Sequence, residues 1–247
     1  MIADLKAEFR KLLTVRSTYF IVIASLLIVA LFAGLISGFK AAPSDLHSAK
    51  LLAEQSTNAV VFVGLILAFA GLLLVGHEYR YNTIMYTLTA TNRRYKVLLA
   101  KLIAVSTFAI ITSLIVTFFS PLCTIIGTHL HGYTISPQTY DYWSILWRCL
   151  FCGWGYALYA FILITILRNQ IGAIVTFLLV PLIGENILGL LLKHNIKYLP
   201  FTAVQAVAAP DNLGNHLNAG HEALVVLVYI LVGLVLSTLL FIRRDAN

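Results

Sequence analysis

Six stretches of this 247-residue chain run for about twenty residues or more with at most one charged side chain. A bilayer core is about 30 Å thick and a helix rises about 1.5 Å per residue, so roughly 20 apolar residues cross it. Backbone N–H and C=O groups have no water to bond inside lipid, which compels such runs to be helical. The uncharged runs are Ser17–Phe39, Gln55–Gly76, Leu102–Thr128, Cys149–Leu167, Asn169–Leu192 (with Glu185 as its one charge) and Ala223–Ile242. They place spans at 17–39, 55–76, 98–122, 145–167, 170–192 and 223–242, with Pro121 expected to end the third. The fold class is therefore an all-α integral membrane protein, read as a single transmembrane domain over 1–247.

The charge content supports this class. Only 11% of residues are charged, against about 25% in soluble domains. A net charge of +7 can signal nucleic-acid binding, but no basic run here carries interleaved aromatics, and no nucleic-acid partner is expected. The excess follows a topological rule instead. With the amino terminus inside, the inner segments hold Lys6, Arg10, Lys11, Arg16, Arg80, Arg93, Arg94, Lys96, Lys101, Arg168, Arg243 and Arg244. The outer ones hold Lys40, Lys50, Arg148, Lys193 and Lys197. Twelve against five puts both termini in the cytoplasm. The first apolar run is too long for the core of a cleaved signal, so it reads as a retained span.

Residues 1–16 form the expected interfacial helix. Ile2, Leu5, Phe9, Leu12 and Leu13 share one face, and Asp4, Lys6, Glu8, Arg10 and Lys11 cover the remainder.

Cysteine and histidine point to little chemistry. Cys149 and Cys152 are spaced as C-x-x-C, but they open a hydrophobic span with no second ligand pair nearby. His129 and His131 lack a nearby acid or thiol, so no metal is expected.

Two places break the apolar pattern. The first is Gly76-His-Glu-Tyr-Arg-Tyr-Asn-Thr-Ile-Met-Tyr-Thr-Leu-Thr-Ala-Thr-Asn-Arg-Arg94, between spans two and three. Asn82 or Thr83 can cap a short helix there, on which Ile84, Met85 and Leu88 form an apolar patch. Such a helix, with tyrosine and arginine beside the patch, is a docking element for another protein. A solvated basic loop accounts for Arg93, Arg94 and Lys96, but not for Glu78 beside the membrane or for the patch. The second break is Pro181-Leu-Ile-Gly-Glu-Asn-Ile-Leu-Gly189 in span five. Glu185 lies 14 residues beyond Ile171, about 21 Å along a helix. An acid in the bilayer is costly, roughly 2.5 kcal/mol or more at mid-membrane. Proline before it and glycine after it point to a bend or break. Glu185 and Asn186 either face a translocation path or satisfy backbone groups freed by that bend.

The first segment resembles the signature of type-2 ATP-binding-cassette (ABC) exporter permeases. That family carries E-(Y/F)-R-x-x-T-(I/L) after the second span and R-R-x-x-(V/L)-L-x-A-K-L at the start of the third. The matching residues are Glu78, Tyr79, Arg80, Thr83 and Ile84, then Arg93, Arg94, Val97, Leu98, Ala100, Lys101 and Leu102. Asn92 departs from a frequent proline, and Tyr81-Asn82 from a frequent glycine. The resemblance implies a plasma-membrane exporter subunit, bacterial by family, working as a dimer with a second copy or a related permease. The helix between spans two and three becomes a coupling helix seated in a separate ABC ATPase subunit, with Glu78, Tyr79, Arg80, Thr83, Ile84, Leu88, Arg93 and Arg94 as the coupling residues. It also implies short re-entrant helices between spans five and six, one of them over 195–207. No G-x-x-x-x-G-K loop followed by serine or threonine occurs in the chain. The chain accordingly binds no cofactor of its own, and ATP and magnesium sit on the partner ATPase. The alternatives are an ion-coupled secondary transporter, which wants several ionisable groups near the midplane, and an intramembrane enzyme, which wants a paired acid/base set or a metal cluster.

Overall fold

The structure, a computed structural model, describes residues 2–36, 49–84, 86, 94–130, 132, 142–208 and 219–243. All of its elements are helical. Among the described residues, six helices are long and apolar enough to cross a membrane.

The chain opens with α1 (Ile2–Thr14). Val15, in extended conformation, separates it from α2 (Arg16–Val29), which continues as a π-helical stretch, Ala30–Ile36. Next come α3 (Ala49–Arg80), α4 (Arg94–Leu130) and α5 (Tyr142–Leu167). These three pack against one another, and α2 lies against α3 and α4. The junction is lined by Val63, Leu67, Val105, Ala109, Ala157 and Phe161, all at most 1% exposed.

Helix α4 runs through Pro121 to Leu130, where the sequence led us to expect an end near the proline. Proline removes one helical hydrogen bond, but in lipid the alternative is to expose many more. Hydroxyl groups beside it bond back to the helix, Thr124 to the Ser120 carbonyl at 3.1 Å and Thr128 to that of Thr124 at 3.1 Å.

The fifth crossing is one continuous helix from Gln170 to Leu192, irregular where the sequence leads one to expect a bend or break. Helix α6 (Gln170–Leu179), capped by the Asn169 side chain on Gly172 N, passes into a π-helical turn, Val180–Gly184, and resumes as α7 (Glu185–Leu192). A short 3-10 helix, Lys193–Tyr198, leads to α8 (Pro200–Ala208), which packs on α5 and on α9 (Ala219–Arg243).

Two left-handed residues end long helices. Asn82, at φ 53°, terminates α3, and Arg168, at φ 54°, terminates α5. Asparagine tolerates this conformation better than most residues. Asn82 thus closes one helix, where the sequence offered it as the opening cap of the next.

Candidate functional site

The charged residues at one end of the bundle do not all face solvent. Glu8 and Lys11 of α1, Glu78 of α3 and Lys101 of α4 meet in a closed square of alternating charge. Lys101 Nζ donates to Glu78 Oε1 at 2.6 Å and to Glu8 Oε1 at 2.9 Å. Lys11 Nζ donates to the same two oxygens, at 2.6 and 2.9 Å. Lys101 is 1% exposed and Glu8 3% exposed, whereas the Lys11 side chain is 39% exposed. Two positive and two negative charges cancel within the square, so it can be withdrawn from water without a net buried charge. Burial alone would push the Lys11 ammonium pKa down. Its hydrogen bonds to Glu78 and Glu8, with their charges, outweigh that and hold it above the ordinary value.

The sequence reading placed Glu8 on the solvated side of α1. It is instead turned into the protein, while Leu13, assigned to the apolar face, is 68% exposed. Leu5, Glu8 and Leu12 recur at helical spacing, so the acid stood on an apolar face from the start. An acid there needs a cation opposite it, and Lys101, two turns inside α4 where the helix becomes apolar, was that cation.

The other proposed coupling residues are dispersed. Tyr79 is partly buried, and its hydroxyl has no hydrogen-bond partner among the described residues. Arg80 is exposed and lies over the Tyr81 ring at 5.6 Å. Thr83 is exposed, but Ile84 is 5% exposed and packs into the chain's own core. Tyr81 and Tyr86, at 65% and 76% exposed, are the large side chains that the described part of this segment presents outward, beside Arg80, Asn82 and Thr83. Leu88 and Arg93 lie outside the described residues. Arg94 Nη1 donates to the Ile242 carbonyl at 3.3 Å, and Arg168 Nη2 to that of Leu240 at 3.0 Å. Two cations thus cap the carboxyl end of α9, where the helix dipole favours positive charge. These contacts, with the square, bring α1, the end of α3, the start of α4 and the end of α9 to one end of the bundle.

Glu185 and Asn186 have separate tasks. The Glu185 carboxylate is 5% exposed and accepts from Phe201 N, Thr202 N and Thr202 Oγ1, each at 2.7 Å. Leu199, at the cap position of α8, carries no polar side chain, and Glu185 supplies the missing cap from 16 residues away. Asn186 is exposed, and its Nδ2 donates to the Leu182 carbonyl at 2.7 Å, within the π-helical turn of the span. Glu185→Ala is therefore expected to cost about 2 kcal/mol by releasing three charge-assisted bonds. Thermal unfolding in detergent reads this, and a wild-type melting point would argue that the cap contributes little.

Helices of bilayer length, gathered around a buried core and joined by a charge-balanced cluster at one end, define a multi-pass helical membrane protein with no catalytic constellation among the described residues. The chain belongs to the ABC-2 family of transporter proteins, whose family description, "ABC-2 family transporter protein", matches residues 5–185. It is a membrane-spanning permease component of a transporter of that class. The match takes in the charge square, the segment after α3 and Glu185. No curated protein matches the chain.

Proposed function

We propose that this chain is the permease subunit of an ATP-driven exporter. It forms the translocation path as a pair, with a second copy or a related permease, and is driven by separate ATPase subunits that hold ATP and magnesium. On this reading it resides in the bacterial cytoplasmic membrane with both termini in the cytoplasm.

The observation that carries the proposal is the position of Glu78. This residue opens the motif that follows the second span, and it is held by Lys101 of the third span and Lys11 of α1. A displacement applied just beyond it reaches three helices at once. The surface offered to an ATPase is the exposed part of the segment, Arg80, Tyr81, Thr83 and Tyr86. Ile84 anchors that segment to the core beneath.

Replacing Tyr81 and Tyr86 together by alanine tests this reading, since neither side chain contributes to the core. The doubly substituted protein is expected to melt like the wild type while ATP-driven transport in proteoliposomes falls by about tenfold or more, the equivalent of about 1.4 kcal/mol of lost docking. Unchanged transport, or transport by the purified chain with no ATPase bound, would overturn the proposal.

A further inference from the structure

The elbow between α1 and α2 does not close against α3. It leaves a groove of about 440 Å³ between the two, a volume within the roughly 300–1,000 Å³ of small-molecule sites. We infer that this groove holds one phospholipid from the leaflet beside the amino terminus, with its phosphate on Lys11.

Three features select this occupant. The groove runs along α3 from Ala70 to Glu78, which is 8 residues or about 12 Å of helix, and continues to Tyr81 just past the helix end. With the apolar run of the second span ending at Gly76, the stretch from Ala70 to Gly76 reaches about 9 Å into the hydrocarbon, the depth of the upper part of an acyl chain, and the remainder lies at headgroup level. Its lining is graded along that length. Ile21, Ala70, Leu73 and Leu74 form the deep end, and His77, Lys11 and the Lys11-bonded carboxylate of Glu78 stand at the shallow end, with Ser17 and Thr18 of α2 opposite. Exposed Tyr81 and Tyr86 flank the mouth, and amphipathic rings of this kind favour the headgroup level. Finally, the Lys11 ammonium has three N–H donors, of which Glu8 and Glu78 occupy two. With its side chain 39% exposed, the third can meet a phosphate oxygen. A free phosphate would leave the deep apolar end empty, whereas a phospholipid fills both ends. The inference concerns this chain alone and holds whether or not an ATPase docks.

Native mass spectrometry tests it on the purified full chain after detergent exchange, with phosphatidylglycerol, an uncharged diacylglycerol or inorganic phosphate added. The wild type is expected to keep one phosphatidylglycerol per chain, bound about tenfold tighter than diacylglycerol. Inorganic phosphate should not displace it. Lys11→Met should reduce phosphatidylglycerol to the level of diacylglycerol. Leu74→Trp, which fills the deep end and leaves the charge square untouched, should remove both lipids without lowering the melting temperature. Equal retention in wild type and both variants would overturn the inference. So would equal binding of the two lipids, displacement by phosphate, or a change in oligomeric state in place of lipid loss.

Discussion

Lys101→Met is expected to leave little folded protein, while Lys11→Met folds and melts close to the wild type. The two lysines make the same pair of hydrogen bonds, to Glu8 Oε1 and Glu78 Oε1, at the same distances. They differ in surroundings. Lys101 is 1% exposed, within the core of three packed helices, whereas the Lys11 side chain is 39% exposed. Removing Lys101 leaves two buried carboxylates sharing one ammonium at the protein's edge. Breaking a buried pair from one side costs about 3–5 kcal/mol, a large part of what holds a domain folded. Removing Lys11 leaves the same net charge of −1, but both carboxylates keep the buried ammonium of Lys101 and the vacated side opens to water, so the loss is expected to be small beside that of Lys101→Met.

A second substitution separates charge balance from lost packing. In Lys101→Met with Glu8→Gln the square again sums to zero. Its destabilisation is expected to be smaller than that of Lys101→Met alone, which is the signature of coupled neighbours. Fluorescence-detected thermal unfolding in detergent measures all three variants. If Lys101→Met melted with the wild type, the square would be an ornament of the surface.

Much of the architecture was legible because lipid leaves few options. A run such as Ala223 to Ile242 can only be a helix in a bilayer, whatever its neighbours. Proline before Glu185 and glycine after it, Pro181 and Gly189, pointed to an irregular fifth crossing, and a π-helical turn over Val180–Gly184 stands there. The tasks of individual charges were less legible. A periodicity argument assigns charges to solvent by default, and Glu8 fits that default until Lys101 is brought beside it from 93 residues away. Glu185 was visible as an anomaly, but its partner is the start of a helix 16 residues on. The sequence clue was the bare cap position at Leu199, followed by Pro200. Arg168 read as a topology marker, and Arg94 as that and a coupling residue, because only the folded chain brings the end of α9 against them. Ile84 was assigned to an outward patch by its spacing, and the left-handed turn at Asn82 carries it inward instead.

Gly71→Leu should disrupt the bundle even though it adds only hydrocarbon to a hydrocarbon core. A β-carbon at position 71 would sit 3.0 Å from the Ala157 carbonyl oxygen, 3.4 Å from Val105 Cγ1 and 3.6 Å from Phe161 N. Two of these atoms belong to the backbone of α5, which cannot rotate aside as a side chain would. Leucine adds three further carbons at the point where α3, α4 and α5 converge, so the helices must separate. Overpacking of this kind typically costs about 1–3 kcal/mol, and more where backbone has to move. Gly71→Ala should give a smaller loss in the same direction. Gly220 of α9 supplies the contrast, since a β-carbon there meets nothing within 4 Å among the described residues. Gly220→Ala should be neutral or stabilise by up to about 1 kcal/mol, the helical preference of alanine over glycine. Melting temperatures in detergent are expected in the order Gly220→Ala, wild type, Gly71→Ala, Gly71→Leu. Equal stability of Gly71→Leu and wild type would mean that α3 and α5 do not touch there. The square at the end of α3 would then move with α1 and α4 alone, and the fourth crossing would have to be driven by some other contact.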